Sequence, residues 1–215
     1  MSLGDDMVQD VISRNLGHPL RVAIDGVTAS GKSTCARRLV HAVAAQGRPA
    51  IHVTMDGFHH RRAHRYRQGR TSALGYYRDA YDFDALAANV LIPLGPNGSH
   101  EIRRRIIDLA TDEPVDDPLE LVPADAIVVV DGTFLHRPPL PDHWDYTVFI
   151  NTPMHIARER GMVRDADALG GAEAACLAFD QRYHAACRIY LDEVEPRVRA
   201  TRVLPSIDSL LSKGR

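Results

Sequence analysis

Gly26-Val27-Thr28-Ala29-Ser30-Gly31-Lys32-Ser33 fits the phosphate-loop pattern of glycine, any four residues, and then Gly-Lys-Ser/Thr. The apolar run 21–25 before it predicts a strand, and apolar residues at helical spacing from Cys35 to Val43 predict a helix after it. A loop between a strand and a helix can bind phosphate, because its N–H groups turn inward and the helix N-terminus adds partial positive charge. An ordinary glycine-rich turn is the alternative, but this context favours a P-loop NTPase.

The same loop suggests roles for individual side chains. Lys32 is expected to contact the β- and γ-phosphates of ATP, and Ser33 to offer its hydroxyl to Mg²⁺. ATP and Mg²⁺ are therefore the expected cofactors. The residues expected to bind the nucleotide are Gly26, Ala29, Ser30, Gly31, Lys32, Ser33 and Thr34.

Composition limits the class of protein. The chain has 215 residues, 45 % hydrophobic and 25 % charged, with a net charge of −2, which predicts one α/β domain over 1–215. The near-neutral charge gives no pull toward nucleic acid, and no apolar run is long enough to span a membrane. No secretory signal is expected at the N-terminus. Three widely spaced cysteines favour a reducing cytoplasm, and assembly into a homo-oligomer stays open.

Apolar runs alternate with helical patterns along the chain. Five runs predict strands, at 21–25, 50–55, 126–130, 146–150 and 202–204. Helices are expected at 5–16, from the phosphate loop to Gln46, from Asp82 or Asp84 to about Pro93, from about Pro153, and up to about Glu195. This alternation predicts an α/β fold, a doubly wound five-stranded parallel sheet with flanking helices and a small lid.

Two predicted strands end in Asp-Gly, at Asp56 and at Asp131. Ligands bind at the carboxyl edge of a parallel sheet, so both carboxylates are expected beside the phosphate loop. Asp56 would accept the proton of an incoming hydroxyl, and Asp131 would be a second anchor for Mg²⁺, with or without an intervening water. The alternative for each is a plain Asp-Gly turn.

Two polar segments and a basic one remain. The insertion 57–81 contains His59, Tyr76, Tyr77 and five arginines between positions 61 and 70, and we expect it to be a long loop that shapes an acceptor pocket together with 95–123. Nucleic-acid binding by those arginines and a metal site at its histidines are weaker alternatives. Arg158, Arg160 and Arg164 precede Gly170-Gly171 and could close over the triphosphate as a lid over about 158–172, unless they form a solvated helix face.

Several of these motifs, in this order, resemble the uridine kinase family, within the group that includes pantothenate kinase and phosphoribulokinase. The matching segments are Thr28-Ala29-Ser30-Gly31-Lys32-Ser33, Asp56-Gly57-Phe58-His59, Asp79-Ala80-Tyr81-Asp82, Pro123-Ala124-Asp125, Val128-Val129-Val130-Asp131-Gly132-Thr133-Phe134-Leu135, Arg160-Gly161-Met162-Val163-Arg164-Asp165, and Tyr183 with Pro196.

This resemblance implies that Asp56 is the base for the acceptor hydroxyl and that Asp131 replaces a glutamate of the magnesium network. It also implies that Arg160 and Arg164 belong to the lid. The nucleoside-binding half departs from the family, because 94–100, with His100, replaces the segment that holds the base. Tyr76 or Tyr77 also replaces an acidic residue that would contact the ribose.

The expected activity is ATP-dependent phosphorylation of a primary hydroxyl on a small molecule, with Lys32, Asp56, Arg160 and Arg164 as catalytic residues. Uridine or cytidine is the leading acceptor, expected to lie against Asp56, His59, Tyr76, Tyr77 and His100. Pantothenate, nicotinamide riboside or a sugar is the alternative acceptor. A nucleotide-binding regulatory module is the alternative from another class.

Overall fold

A parallel sheet of five strands lies at the centre of the computed structural model, which describes residues 3–206. Its strands are β1 (Leu20–Gly26), β2 (Ala50–Thr54), β7 (Ile127–Asp131), β8 (Tyr146–Asn151) and β9 (Arg202–Pro205). Their order in the sheet is β2-β7-β1-β8-β9, and every pairing is parallel. The predicted five-stranded parallel sheet is therefore confirmed.

Helices cover both faces of the sheet. The longer ones are α1 (Leu3–Ser13), α2 (Lys32–Ala44), α6 (Met154–Leu169), α7 (Ala172–Ala178) and α8 (His184–Val194). Shorter ones are α3 (Arg62–Arg65), α4 (Ala73–Asp79), α5 (Phe83–Leu86) and α9 (Pro196–Arg199). The apolar residues of α1 and α2 pack on one face of the sheet, and those of α4, α5 and α8 belong to the larger core on the other. This two-sided covering is the doubly wound arrangement.

The register of the strands gathers polar groups at one edge. Asp131, the last residue of β7, is paired with Thr54 at the end of β2 and with Ile24 near the end of β1. Every residue of β7 is buried, as expected for a central strand covered on both faces. The strand ends therefore bring Asp131 next to the loop after β1 and the turn after β2.

The two segments expected to be insertions have more structure than the sequence predicts. A 3₁₀ turn, Met55–Phe58, leads into the segment 57–81, which then forms α3 and α4. The segment is therefore not one long loop. The segment 95–123 forms two short antiparallel pairs, β3 (Glu101–Ile102) with β6 (Glu120–Leu121) and β4 (Ile107–Asp108) with β5 (Glu113–Pro114). The side chain of Asp82 caps α5 by accepting from the N–H of Ala85 at 2.8 Å.

One helical rod runs from Ala172 to Val194 but is not α-helical throughout. Its middle, Phe179–Tyr183, is a π-helical turn between α7 and α8. A π turn holds one residue more than an α-helical turn. The inward-facing residues after it therefore fall one position later in the sequence than a continuous α-helical period predicts. Before the rod, Gly170 and Gly171 have φ values of 92° and 116°, a left-handed conformation that favours glycine and ends α6.

The arginine-bearing segment 158–169 is the C-terminal part of α6, a regular helix. It lies very close to the rod at Gly161, where a Cβ atom would come within 2.0 Å of the Phe179 ring. Among residues 3–206, no helix is both long and apolar enough to cross a bilayer. All three cysteines of the chain are free thiols.

Candidate active site

The phosphate loop connects β1 to α2 in a conformation that only certain residues allow. Ala29 has a φ of 65° and Gly31 a φ of 99°, so successive N–H groups turn toward the inside of the loop. A Cβ on Gly26 would lie 2.6 Å from the hydroxyl of Ser30 and 2.9 Å from the carbonyl of Ile150, so the chain there has no room for a side chain. The buried Ser30 hydroxyl has no hydrogen-bond partner among the described residues. These features fit a loop built around an anion.

Lys32 lies at the start of α2 and is buried at the floor of the site. Its Nζ donates to the carbonyl of Val27 at 2.8 Å, which folds the side chain back over the loop. Burial lowers the pKa of Lys32 below its ordinary value, while the Cys187 thiol and the carboxylates of Asp25 and Asp131 act in the opposite direction. A phosphate group arriving here would supply negative charge to a desolvated ammonium.

Ser33, Asp131 and His52 form a connected group at the end of β7. The Ser33 hydroxyl donates to one carboxylate oxygen of Asp131 at 2.5 Å, and Nε2 of His52 lies 2.7 Å from the other. Burial would raise the pKa of Asp131, but these hydrogen bonds outweigh it and hold the pKa below the usual range. A hydroxyl and an ionised carboxylate are the hard oxygen ligands that Mg²⁺ prefers, so the residues present fit that ion.

A second carboxylate, Asp25, supports the phosphate loop from below. Asp25 is fully buried and accepts the N–H of Gly26 at 2.6 Å. Its Oδ2 lies 2.7 Å from Nδ1 of His136 and also accepts the hydroxyl of Tyr190, which in turn accepts the N–H of His136 at 3.1 Å. This network fixes the first residue of the loop to α8. Helical spacing in the sequence predicts Tyr190 only as an inward-facing residue of this helix.

Asp56 lies in the 3₁₀ turn that follows β2 and faces an open cavity, with 67 % of its side chain exposed. Burial by the cavity walls and the negative charge of Asp131 raise the pKa of Asp56 above its ordinary value, and the water that reaches it moderates this effect. His59 Nε2 is 3.8 Å from Asp56, and its Nδ1 is 3.1 Å from the carbonyl of Ala80. Burial lowers the pKa of His59 to about 3, so its ring is neutral at physiological pH.

A cavity of about 720 Å³ lies between the phosphate loop, the turn at Asp56, the C-terminal part of α6 and the middle of the helical rod. The predicted site residues that line it are Ala29, Lys32, Ser33, Asp56, His59, Tyr76, Asp131 and Arg164. Tyr76 is almost fully buried, so it forms a wall and not a flexible arm. The structure thus brings the loop lysine and both strand-end carboxylates to one cavity, as the strand-end pattern predicts.

Two residues predicted to contact the acceptor lie elsewhere. The Tyr77 hydroxyl donates to Glu193 at 2.9 Å, and its ring packs on Phe134, because consecutive residues of α4 point in different directions. His100 has a φ of 62° and its carbonyl accepts the N–H of Val122, which binds this turn to the β3–β6 pair. Neither residue lines the cavity.

The predicted lid arginines also divide. Arg164 lines the cavity and is paired with Asp165 at 2.7 Å. Arg160 lies on another side of α6, where it donates to the hydroxyl of Ser206 at 3.4 Å. Arg158 is paired with Asp180 at 2.5 Å, which connects α6 to the rod. In this conformation only Arg164, of these three, is placed to contact a ligand in the cavity.

The cavity is also lined by residues to which the sequence interpretation gave no individual role. They are Arg62, Arg65, Tyr66, Arg70, Tyr81, Arg182 and Tyr183. The arginines of 61–70 had stood out only as a cluster. Arg182 lies three residues after Phe179 and four before Ala186, on the inward face of the helical period, but a charged side chain gives no apolar signal, so its burial was not predicted.

The chain is similar in sequence to a known family of proteins. The family model described as "Phosphoribulokinase / Uridine kinase family" matches residues 22–204. The uridine kinase of Leuconostoc citreum (strain KM20) is 26 % identical over 188 residues, which cover 86 % of this chain and 86 % of that protein.

Solved structures share the fold. A structure described as a possible uridine kinase from Bacillus stearothermophilus superposes with a TM-score of 0.73 at 24 % identity, over 94 % of this chain and 96 % of that one. Phosphoribulokinase from Rhodobacter spheroides superposes with a TM-score of 0.60 at 17 % identity, over 88 % of this chain and 70 % of that one. At these identities the likeness is one of fold.

Proposed function

The chain belongs to the phosphoribulokinase/uridine kinase family, and we propose that it transfers the γ-phosphoryl group of ATP to a primary hydroxyl of a small molecule. Membership makes it a phosphotransferase that acts on a hydroxyl. One observation carries the more specific proposal: the phosphate loop and the exposed carboxylate of Asp56 line the same cavity. A phosphoryl donor and an acceptor hydroxyl can therefore meet there.

The phosphate end of the cavity would hold the nucleotide. The inward N–H groups of the loop and the first turn of α2 would bind the phosphates, with Lys32 compensating their charge. Ser33 and Asp131 would hold Mg²⁺, which neutralises charge on the phosphates when bound. Arg164 approaches from α6 and would add positive charge near the migrating group.

Asp56 would be the general base. Burial by the cavity walls and the charge of Asp131 raise its pKa above that of an ordinary aspartate, which makes the carboxylate a stronger base. His59 lies beside it as a neutral ring whose Nδ1–H donates to the Ala80 carbonyl, so its Nε2 offers a lone pair. Oδ1 of Asp56 and Nε2 of His59 are 3.8 Å apart, so a hydroxyl that faces both atoms from the cavity can donate its proton to either.

The identity of the acceptor is a separate question from the reaction type. Relatives named uridine kinase favour uridine as the acceptor, and cytidine is the other nucleoside that the family resemblance implies. Pantothenate, nicotinamide riboside and sugars form the second set, because the segment 94–100 departs from the nucleoside pattern and His100 does not line the cavity. Both sets share the primary hydroxyl that the proposal requires.

The test is Asp56→Asn, assayed by acceptor-dependent ADP release and by ATP binding. We expect turnover to fall by roughly 10²- to 10⁴-fold, because the isosteric amide cannot take the proton, with ATP affinity retained. Asp84→Asn is the matched control, since Asp84 is exposed on α5 and does not line the cavity. Near-normal turnover of Asp56→Asn would rule out the base. Nucleotide binding without turnover of any acceptor would favour a regulatory module.

A further inference from the structure

The positive charge of the cavity wall is only partly compensated. Five arginines line the cavity, and two of them are paired: Arg65 with Asp112 at 3.2 Å and Arg164 with Asp165 at 2.7 Å. No carboxylate of residues 3–206 lies within ion-pair distance of the guanidinium groups of Arg62, Arg70 or Arg182. These three cations therefore line one cavity without an ion-pair partner in the described part of the chain.

Arg182 is the most informative of them because it is buried. It is 8 % exposed, its Nη1 donates to the carbonyl of Arg70 at 2.8 Å, and its Nε has no hydrogen-bond partner among the described residues. A buried guanidinium costs free energy unless it is paired and its N–H groups are satisfied. An arginine held in this way, at the wall of a cavity, points to an anion that completes the site.

Aromatic rings hold the guanidinium of Arg182 in place. Its central carbon lies 4.6 Å from the centre of the Tyr66 ring, 5.2 Å from that of Tyr76 and 5.6 Å from that of Tyr183. Arg70 stacks on the same Tyr66 ring at 5.1 Å. Cation–π contacts of this kind position a guanidinium but do not neutralise it. The Tyr66 ring thus contacts two arginines, Arg70 and Arg182, that lack a carboxylate partner.

The position of these groups assigns them to the acceptor and not to ATP. Arg62, Tyr66 and Arg70 belong to the segment 57–81 that follows Asp56, the proposed base. In the proposed function, the phosphates of ATP would be bound by the loop N–H groups, by Lys32 and by Arg164 of α6. An anion at Arg182 and Arg70 would therefore be a second charged group, carried by the molecule whose hydroxyl reaches Asp56.

We propose that the acceptor carries an oxyanion, a carboxylate or a phosphate monoester, which binds at a subsite formed by Arg182, Arg70 and Tyr66. This inference rests on the proposed kinase function and narrows its substrate class. Guanidinium groups match carboxylate and phosphate oxygens through two parallel hydrogen bonds, which fixes the orientation of a small acceptor. The bound anion then aims the opposite, hydroxyl end of the acceptor toward Asp56.

The experiment compares acceptors that differ in charge but share a primary hydroxyl. The sets are glycerol, D-glycerate and glycerol 3-phosphate; pantothenol and pantothenate; and uridine and orotidine. Charge-assisted hydrogen bonds predict a preference in kcat/KM for the anionic member of about 10- to 150-fold. The glycerol set separates a carboxylate from a phosphate.

Variants connect that preference to the subsite. In Arg182→Gln the KM of the anionic acceptor should rise, because one charge-assisted contact is lost, until the preference is within about threefold of unity. The KM of ATP should stay nearly unchanged. Arg70→Gln, at an exposed position that carries little risk to folding, should reduce it partially. Arg188→Gln is the matched control, because Arg188 is exposed on α8 and does not line the cavity.

The outcomes separate the two proposals. Turnover of neutral and anionic acceptors with equal efficiency, or a preference that survives Arg182→Gln, overturns the subsite and leaves the kinase intact. Absence of turnover with every acceptor counts against the kinase. The subsite is then judged by thermal stabilisation in millimolar D-glycerate, glycerol 3-phosphate and pantothenate: loss of stabilisation in Arg182→Gln supports it, and no stabilisation of the wild type overturns it.

Discussion

Replacing Tyr190 by phenylalanine should destabilise the protein far more than an ordinary loss of one hydroxyl. The hydroxyl donates to buried Asp25 and accepts the N–H of His136 at 3.1 Å. A hydrogen bond to a charged group contributes about 1.5–3 kcal/mol, and a buried amide left without a partner costs about 1–3 kcal/mol. Because both share one oxygen they are not additive, and we expect a loss of about 2–4 kcal/mol in the free energy of unfolding.

The assay is urea denaturation followed by the fluorescence of Trp144, the single tryptophan of the chain. A loss of this size lowers the midpoint at an unchanged m-value, and for a chain of this length it lowers Tm by roughly 4–16 °C. Tyr146→Phe is the matched control. Its hydroxyl also donates to an aspartate, Asp10 at 2.8 Å, but that side chain is 35 % exposed, so water can replace the hydroxyl and the cost should stay under about 1 kcal/mol.

The same substitution should weaken ATP binding. Asp25 accepts the N–H of Gly26 at 2.6 Å, so a less constrained Asp25 leaves the first residue of the phosphate loop less well fixed. The KM of ATP should rise in Tyr190→Phe and not in Tyr146→Phe. If the two variants lose equal stability, the reasoning is refuted, because Gly26 and His136 alone would then satisfy Asp25.

Three further predictions concern packing and pH. Gly161→Ala should lower the free energy of unfolding, measured in urea, by about 1–3 kcal/mol, because the new Cβ would lie 2.0 Å from the Phe179 ring and this clash outweighs the higher helix propensity of alanine. Unchanged stability would mean that α6 can shift away from Phe179 at no cost and would contradict the prediction. Burial lowers the pKa of His59 to about 3, whereas the unfolded chain takes up this proton below about pH 6.5, so stability is lost as pH falls from 6.5 toward 3. His59→Gln should flatten this loss between pH 7 and pH 5 in urea titrations, and an equal loss in both proteins would contradict it. The raised pKa of Asp56 should place the acid limb of kcat/KM above the range of an ordinary aspartate, and a limb at or below that range would exclude Asp56 as its source.

Much of the fold follows from local patterns in the sequence. Each sheet strand carries a short apolar run, and the strand–loop–helix around Lys32 determines where the sheet begins, so the five strands could be predicted within one or two residues. The segment 57–81 could not. Its helices α3 and α4 are short, and α4 buries Tyr76, Tyr77 and Asp79 on several sides, so no amphipathic period marks it as a helix.

The site was predictable where it depends on strand ends and unpredictable where it depends on tertiary packing. Asp56 and Asp131 follow from the rule that ligands bind at the carboxyl edge of a parallel sheet. The direction of Tyr77 toward Glu193, and of His100 toward the β3–β6 pair, depends on partners more than 20 residues away in sequence, so local reasoning had no access to it. Arg182 was missed because periodicity identifies apolar residues, and a buried arginine gives no such signal.

That π turn has a consequence for how such a molecule can change. Arg182 in the turn contacts the cavity, whereas Tyr190, two helical turns later, supports Asp25. Because the π turn accommodates one extra residue, removal of one residue within Phe179–Tyr183 would restore a regular α-helix and leave α7 and α8 in place. A single-codon deletion would therefore change the side chain that faces the cavity and leave the Tyr190–Asp25 contact below the phosphate loop intact.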